Sequence, residues 1–169
     1  KATSTGADLV GFGVEVVDRD GRTGGAFQRR LQPSHARLEG EGIIRGLFPT
    51  GAPARGQIWR YLFSTALLRI AYAHLPQDLE LYRANDLPIA YLAASMAHLY
   101  VSLPTRLYRY HFGRGASGQR IEDASQFEFY LQAVDSIDSI APAIREKARK
   151  HADPDPFLES FASARLSVI

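Results

Sequence analysis

The sequence predicts an α/β fold followed by a helical tail, and three observations support this prediction. Residues 7–17 and 107–112 are Val-rich or alternate between apolar and polar side chains, which is typical of strands. Residues 65–75, between them, carry apolar side chains at helical spacing. From residue 125 onwards the apolar side chains recur only with the helical period. A length of 169 residues is sufficient for one domain with its own core.

The N-terminal part of the chain is predicted to contain a hairpin, a short helix and a loop. The first strand ends at a turn signal, residues 18–21, and residues 27–31 are expected to return as its partner strand. Residues 38–47 contain three glycines and predict a short helix. Residues 48–56 are rich in Pro and Gly, so they predict a loop.

The middle of the chain is organised around a helix that starts at Asp86. We interpret Asp86 as the N-cap of this helix, which runs to about residue 97 and carries Pro88 in its first turn. An extended segment is predicted before the helix, at 79–82. Two strands follow the helix, at 100–102 and 107–112, and a Gly-rich loop follows them at 113–118.

The C-terminal part of the chain is predicted to be wholly helical. One helix covers about 125–150, with a bend at Pro142, and a second covers 156–167. We therefore divide the chain into an α/β unit, residues 1–120, and a helical segment, residues 121–169.

Composition excludes several classes of protein. A net charge of +2, from 20 basic and 18 acidic side chains, argues against a nucleic-acid-binding domain. Because Cys is absent, there are no disulfides and no thiolate metal site. No apolar run reaches the ~20 residues that span a bilayer, and no signal peptide is present, so we expect a cytoplasmic location. The chain lacks an initiator Met and stops within a helical pattern, so we expect a piece of a longer protein.

Motifs of common catalytic sites are absent from the sequence. It contains no Walker motif, no GxGxxG that opens a helix and no GxSxG. The five histidines are scattered and lack metal-ligand spacing. Residues 18–20 and 153–155 match the Asp-x-Asp pattern that can hold a divalent cation on phosphates, but the first fits a turn and the second an interhelix loop. No metal site is therefore predicted in this chain.

Asp86 admits two interpretations. As an N-cap, its side chain would accept a hydrogen bond from a backbone N–H of the first helical turn. The same position lies at the positive end of the helix dipole, which keeps a carboxylate ionised and oriented. A catalytic base also uses an ionised, oriented carboxylate, so both the structural cap and the catalytic base stay open for this residue.

Five segments of the chain occur in an order that is informative as a set. They are Ala7-Asp8-Leu9-Val10-Gly11-Phe12, Trp59-Arg60-Tyr61, Arg83-Ala84-Asn85-Asp86, Leu107-Tyr108-Arg109-Tyr110-His111 and Gly113-Arg114-Gly115-Ala116-Ser117. This order resembles the C-terminal half of bacterial family 2 glycosyltransferases, which have a GT-A (Rossmann-like) fold. The resemblance covers about residues 7–118, and it implies that residues 1–120 form the acceptor-side half of such a domain.

The resemblance implies a hexosyltransferase that uses a nucleotide-sugar donor, inverts the anomeric centre and builds polysaccharide or envelope glycans. Asp86 would be the general base, and Asn85 stands where the family has Glu. The substrate-binding residues that it implies are Trp59, Arg60, Asn85, His111, Arg114 and Ser117. The family also implies a divalent metal, Mn or Mg, bound by an Asp-x-Asp that is not in this chain, so the isolated chain is expected to be inactive.

Alternatives stay open for single residues and for the whole chain. Trp59 can also be a core residue, and His111 can be an ordinary strand residue. The chain can also be a non-catalytic α/β interaction module of a larger protein. The expected partners are a nucleotide-sugar and a glycan acceptor, with no nucleic acid. Peripheral attachment to the inner face of the cell membrane through the helical tail, and a homo-oligomer, are compatible with the sequence.

Overall fold

The structure, a computed structural model, describes residues 5–76, 85–113, 124–151 and 153–168. It confirms a mixed α/β architecture. The strands are β1 (Leu9–Val17), β2 (Arg37–Glu39), β3 (Tyr61–Phe63) and β4 (Leu99–His111). The helices are α1 (Gly25–Leu31), α2 (Glu41–Leu47), α3 (Thr65–Ala73), α4 (Asp86–Met96), α5 (Ala124–Asp138), α6 (Ala141–Arg149) and α7 (Asp155–Leu166), with a 3-10 helix at Ile58–Arg60.

The strands form one mixed sheet in the order β2-β4-β1-β3. β1 and β4 are parallel neighbours at its centre, whereas β2 and β3 pair antiparallel with them at the two edges. The edge strands pair only with the first residues of the central strands, so β1 and β4 continue beyond them as a two-stranded ribbon. In this ribbon, residues 13–17 pair with residues 106–111, and Val14 lies opposite Tyr108.

Helix α1 protects the outer edge of β1 in the ribbon. The Gln28 side chain accepts a hydrogen bond from the Val16 N–H at 2.9 Å, and the Gln32 amide donates to the Val14 carbonyl at 2.8 Å. An open strand edge presents unpaired backbone groups, and the side chains of Gln28 in the helix and of its C-cap residue, Gln32, satisfy two of them in this protein. Leu31 packs on both valines, which creates a small second core on the ribbon.

The main core is built around helix α4, whose residues 87–95 are all buried. The ring of Tyr91 lies 4.8 Å from that of Phe48, and its hydroxyl donates to the Phe157 carbonyl at 3.0 Å. This hydrogen bond joins α4 to α7, and side chains of α5 and α6 belong to the same apolar cluster. The helical tail therefore packs on the helices of the α/β unit and shares its core.

Two predictions for the N-terminal part are corrected. Residues 27–31 belong to helix α1 and not to a hairpin strand, because Gln28 and Gln32 must both reach the edge of β1, and a helix places residues four apart on one face. Residues 38–47 begin as strand β2 and become helical only from Glu41, after a turn at Gly40 with a φ of 49°.

Two further predictions are corrected in the second half of the chain. The two strands at 100–102 and 107–112 are one strand, β4, whose pairing register shifts around Pro104 and leaves that residue unpaired. The predicted helix at 125–150 is two helices, α5 and α6. Proline is tolerated in the first turn of a helix but not in its interior, and Pro142 lies in the first turn of α6.

The remaining predictions of local structure are confirmed or lie outside the described residues. Helix α3 confirms the prediction at 65–75, and α4 confirms a helix that starts at Asp86. The extended segment predicted at 79–82 and residues 114–118 of the Gly-rich loop lie outside the described residues. Within the described part of the chain, every helix is too short or too polar to cross a membrane.

Candidate functional site

Asp86 is the first residue of α4 and not its N-cap. Asn85 occupies the N-cap position with helical backbone angles, and its exposed side chain makes no capping hydrogen bond. The Asp86 carboxyl instead interacts with the backbone N–H of Ile58, the first residue of the 3-10 helix, and this interaction acts to lower its pKa. The interpretation of Asp86 as the N-cap of its own helix is therefore wrong by one residue.

Partial burial raises the pKa of the Asp86 carboxyl above its usual value, and the hydrogen bond from Ile58 opposes this rise. Burial has this effect because removal from water disfavours the charged form. A carboxylate with a raised pKa holds a proton more strongly than an exposed one, which makes it a better base. The environment of Asp86 thus differs from the sequence expectation, in which the helix dipole favours its ionised form.

The contact between Asp86 and Ile58 depends on a close backbone approach at Gly56. A Cβ atom added at Gly56 would lie 3.1 Å from the Cα of Leu87, and closer still to the Leu87 side chain. Leu87 is buried in the main core and cannot move without disturbing its neighbours. Because Gly56 has no side chain, the loop before the 3-10 helix can reach the start of α4.

Trp59 follows Ile58 and lies half-buried at the edge of the second core. Its indole stacks on the Tyr110 ring, with the centroids 4.9 Å apart and the planes at 6°, and on the Tyr108 ring at 5.0 Å and 24°. Aromatic pairs of this kind contribute about 0.5–1.5 kcal/mol beyond the area they bury. Trp59 therefore packs on a core, as expected if it is a core residue. It also keeps exposed surface, which a substrate-binding residue requires.

Sequence reasoning missed the partners of Trp59. Tyr108 and Tyr110 are not among the predicted site residues, whereas Tyr108 is 40% exposed and forms one surface with the indole. The available signal was the alternation of aromatic residues at 108, 110 and 112, which predicts these side chains on one face of the strand expected at 107–112.

Arg60 is buried, with 3% of its surface exposed. Its Nη2 donates to the Leu31 carbonyl at 2.7 Å, and its Nη1 donates to the Gln57 side-chain oxygen at 3.4 Å. Burial also lowers the pKa of Arg60. Because the buried guanidinium already donates hydrogen bonds to groups of the protein, we no longer assign Arg60 to substrate binding. It anchors the end of α1 beside the 3-10 helix.

The other residues of the predicted site are not brought together with Trp59. His111 is exposed at the end of β4, and strand alternation directs it to the face opposite Tyr110. Asn85 is exposed and adjacent to Asp86 in the chain. Arg114 and Ser117 lie outside the described residues.

Neither Asp-x-Asp pair has the features of a metal site. Asp18 accepts hydrogen bonds from the N–H groups of Asp20 and Arg22 at 2.9 and 2.8 Å, which is a turn. The Asp153 carboxylate lies 3.5 Å from the Arg45 guanidinium. Across the described ranges, no three His, Asp or Glu side chains come together as metal ligands. The divalent metal that the resemblance implies therefore does not fit the described part of this chain.

No protein-family model, curated protein or solved structure matches this chain. The chemistry of the site is therefore defined by its own geometry. Asp86 is half-buried and has a raised pKa, the exposed amide of Asn85 is adjacent, and Trp59 follows Ile58 in the chain. An oriented carboxylate with a raised pKa can accept a proton from a hydroxyl group.

Proposed function

We propose that this chain is the acceptor-side half of an inverting hexosyltransferase of GT-A fold that uses a nucleotide-sugar donor. The observation that carries the proposal is the close packing of the start of α4 on the segment before Trp59, where Gly56 meets Leu87 and the Ile58 N–H interacts with the Asp86 carboxyl. It joins the two segments that the resemblance identifies as the base and the sugar-binding aromatic residue, although they are distant in sequence. The half-buried position and raised pKa of Asp86 also suit a base.

In the proposed reaction, Asp86 removes the proton from an acceptor hydroxyl group as its oxygen attacks the anomeric carbon of the donor. The bond from that carbon to the nucleoside diphosphate breaks, and the diphosphate leaves with the electron pair. Attack from the opposite side inverts the anomeric centre. Trp59 would pack against the acceptor sugar, and the Asn85 amide would hydrogen-bond to one of its hydroxyl groups.

Binding of the nucleotide-sugar donor is assigned to residues outside the described part of this chain. The divalent metal, Mn or Mg, and the donor diphosphate would be held outside the described part of this chain, so no step is derived through them. The acceptor would be a glycan of a bacterial polysaccharide or envelope, which places the enzyme in the cytoplasm at the inner face of the membrane. These statements of location belong to the proposal and rest on the resemblance.

A transfer assay on the full-length protein tests the proposal. The assay measures release of nucleoside diphosphate from UDP-, GDP- and dTDP-sugars in the presence of oligosaccharide acceptors. Asp86→Asn should lower the rate by about 10²–10⁴-fold, as expected for loss of a general base. Asp155→Asn is the matched control, because Asp155 is also the first residue of a helix but is exposed. Equal rates for the wild type and Asp86→Asn would contradict the base assignment.

A non-catalytic interaction module is the second candidate, and a groove beside α7 favours it. The groove has a volume of about 760 Å³ and runs between residues 50–53 and one face of the helix. Leu166 on its wall is 66% exposed. Unchanged transfer in Asp86→Asn, together with loss of a partner in Leu166→Asp, would favour this second function over the first.

A further inference from the structure

Five aromatic rings form a continuous row on one face of the ribbon. The ring centroids of Phe112 and Phe27 are 5.3 Å apart, and those of Phe27 and Tyr110 are 5.9 Å apart. Trp59 lies next to Tyr110 and then contacts Tyr108, as described above. We call these five residues the aromatic row. It runs from Tyr108 to Phe112, with Trp59 between Tyr108 and Tyr110.

Two rings of the aromatic row are open to solvent and the others support them. Tyr108 is 40% exposed and Phe112 is 42% exposed, whereas Phe27, Trp59 and Tyr110 are half-buried. Tyr108 is held by the indole of Trp59, and Phe112 by the ring of Phe27. Four strand residues span about 13 Å, which is longer than one sugar ring. The two exposed rings therefore suit a ligand of several units.

The ribbon and helix α1 also carry an excess of positive charge. Residues 15–30 and 106–113 contain six arginines and three carboxylates, a net charge of +3, whereas the whole chain carries +2. The three carboxylates are already engaged by Arg109, by backbone N–H groups and by Arg22. The ribbon and α1 are therefore the basic part of an otherwise nearly neutral chain.

Three of the six arginines are available to a ligand. Within the described residues, Arg29, Arg30 and Arg106 are exposed and form no ion pair with a carboxylate. The Arg30 guanidinium lies 5.5 Å from the centre of the Phe27 ring, so it is placed at the aromatic row itself. An arginine fork binds carboxylate and phosphate groups well because it offers parallel N–H donors.

We propose that the aromatic row and these arginines bind an acidic oligosaccharide, and that this glycan is the acceptor of the transfer. The inference rests on the proposed function. The apolar C–H faces of sugar rings pack on Tyr108 and Phe112, and the carboxylate or phosphate groups of the glycan bind Arg30 and its neighbours. Trp59 follows Ile58, which interacts with Asp86, so a glycan bound on the row would lie on the segment next to the base.

The single Trp of the sequence provides a local probe of binding, because Trp59 belongs to the row. Trp59 fluorescence is followed while the protein is titrated with pentagalacturonate and a hyaluronan hexasaccharide, with maltopentaose as the neutral control. We expect at least one acidic oligosaccharide to bind about tenfold more tightly than maltopentaose, and added salt to weaken it. A single-stranded RNA decamer and phosphatidylglycerol vesicles are titrated in parallel.

Variants locate the binding surface. Tyr108→Ala should weaken binding about fivefold, whereas Tyr72→Ala, which removes another exposed tyrosine, on α3, should not. Arg30→Gln and Arg106→Gln change exposed side chains and should also weaken binding without affecting folding. Binding of the RNA or the vesicles in preference to every acidic oligosaccharide would overturn the proposal. So would equal binding of maltopentaose, or no binding of an acidic oligosaccharide below about 1 mM.

The variant Asp86→Asn separates this inference from the proposed function. It should lower the transfer rate by about 10²–10⁴-fold while leaving the affinity for the acidic oligosaccharide unchanged. If transfer survived while binding was present, the base assignment would fail and the glycan surface would stand. If binding was absent while transfer was abolished, the glycan surface would fail and the base assignment would stand.

Discussion

Replacing Arg60 with Met tests whether this side chain anchors the fold or contacts a substrate. Methionine fills similar space without donors, so the buried Leu31 carbonyl loses its 2.7 Å hydrogen bond. An unsatisfied buried polar group costs about 1–3 kcal/mol. The variant also removes the cost of burying the arginine charge, which offsets part of this loss. We therefore expect the free energy of unfolding to fall by about 1–2 kcal/mol, which lowers Tm by roughly 3–6 °C.

Urea unfolding at pH 7, followed by Trp59 fluorescence and by far-UV circular dichroism, measures this change. Arg69→Met is the matched control, because Arg69 is exposed on α3 and its loss should change the free energy of unfolding by less than about 0.5 kcal/mol. A stability of Arg60→Met equal to that of the control would refute the anchoring role. Loss of glycan binding at full stability would show that Arg60 contacts the substrate.

Three further variants test the contacts that hold the site. Gly56→Ala should lower the free energy of unfolding by about 1–3 kcal/mol in urea titrations, because the added Cβ meets the backbone of buried Leu87. Tyr91→Phe should lower it by about 1–2 kcal/mol, because the buried Phe157 carbonyl loses its hydrogen bond at 3.0 Å. Asp86→Asn should raise stability at pH 7, because the raised pKa of this carboxyl means that folding disfavours its charge. The gain in stability should disappear as the pH falls below 3.8, the usual pKa of Asp, because the carboxyl is then neutral in both the folded and the unfolded state. A difference in stability that does not depend on pH would contradict this prediction.

The strands and helices with long, regular patterns were predictable from the sequence. Residues 65–75 carry a clear helical period, and β1 has a long apolar run, so both were found with nearly the observed bounds. Helix α1 was missed because a segment of seven residues is too short to show a period. Its conformation is fixed by a hydrogen bond that Gln28 accepts from, and one that Gln32 donates to, a strand more than ten residues away.

The parts of the site differ in how far the sequence could predict them. It identified Asp86 and Trp59 as candidates, and the structure brings their segments together through Ile58. It could not predict the burial of Arg60, because that depends on the carbonyl at the end of α1. It also could not predict the direction of the Asp86 pKa shift, since the surroundings of a helix start are set by tertiary packing.

The pH dependence of kcat/KM for sugar transfer by the full-length protein tests the assignment of Asp86 most directly. In the wild type, the rate should fall as the pH drops through the raised pKa of Asp86, at a pH above 3.8, because a protonated carboxyl cannot accept the acceptor proton. In Asp86→Asn, this acidic limb should be missing, and the rate at pH 7 should be about 10²–10⁴-fold lower. If Asp86→Asn kept the same acidic limb at a rate close to that of the wild type, another group would be the base.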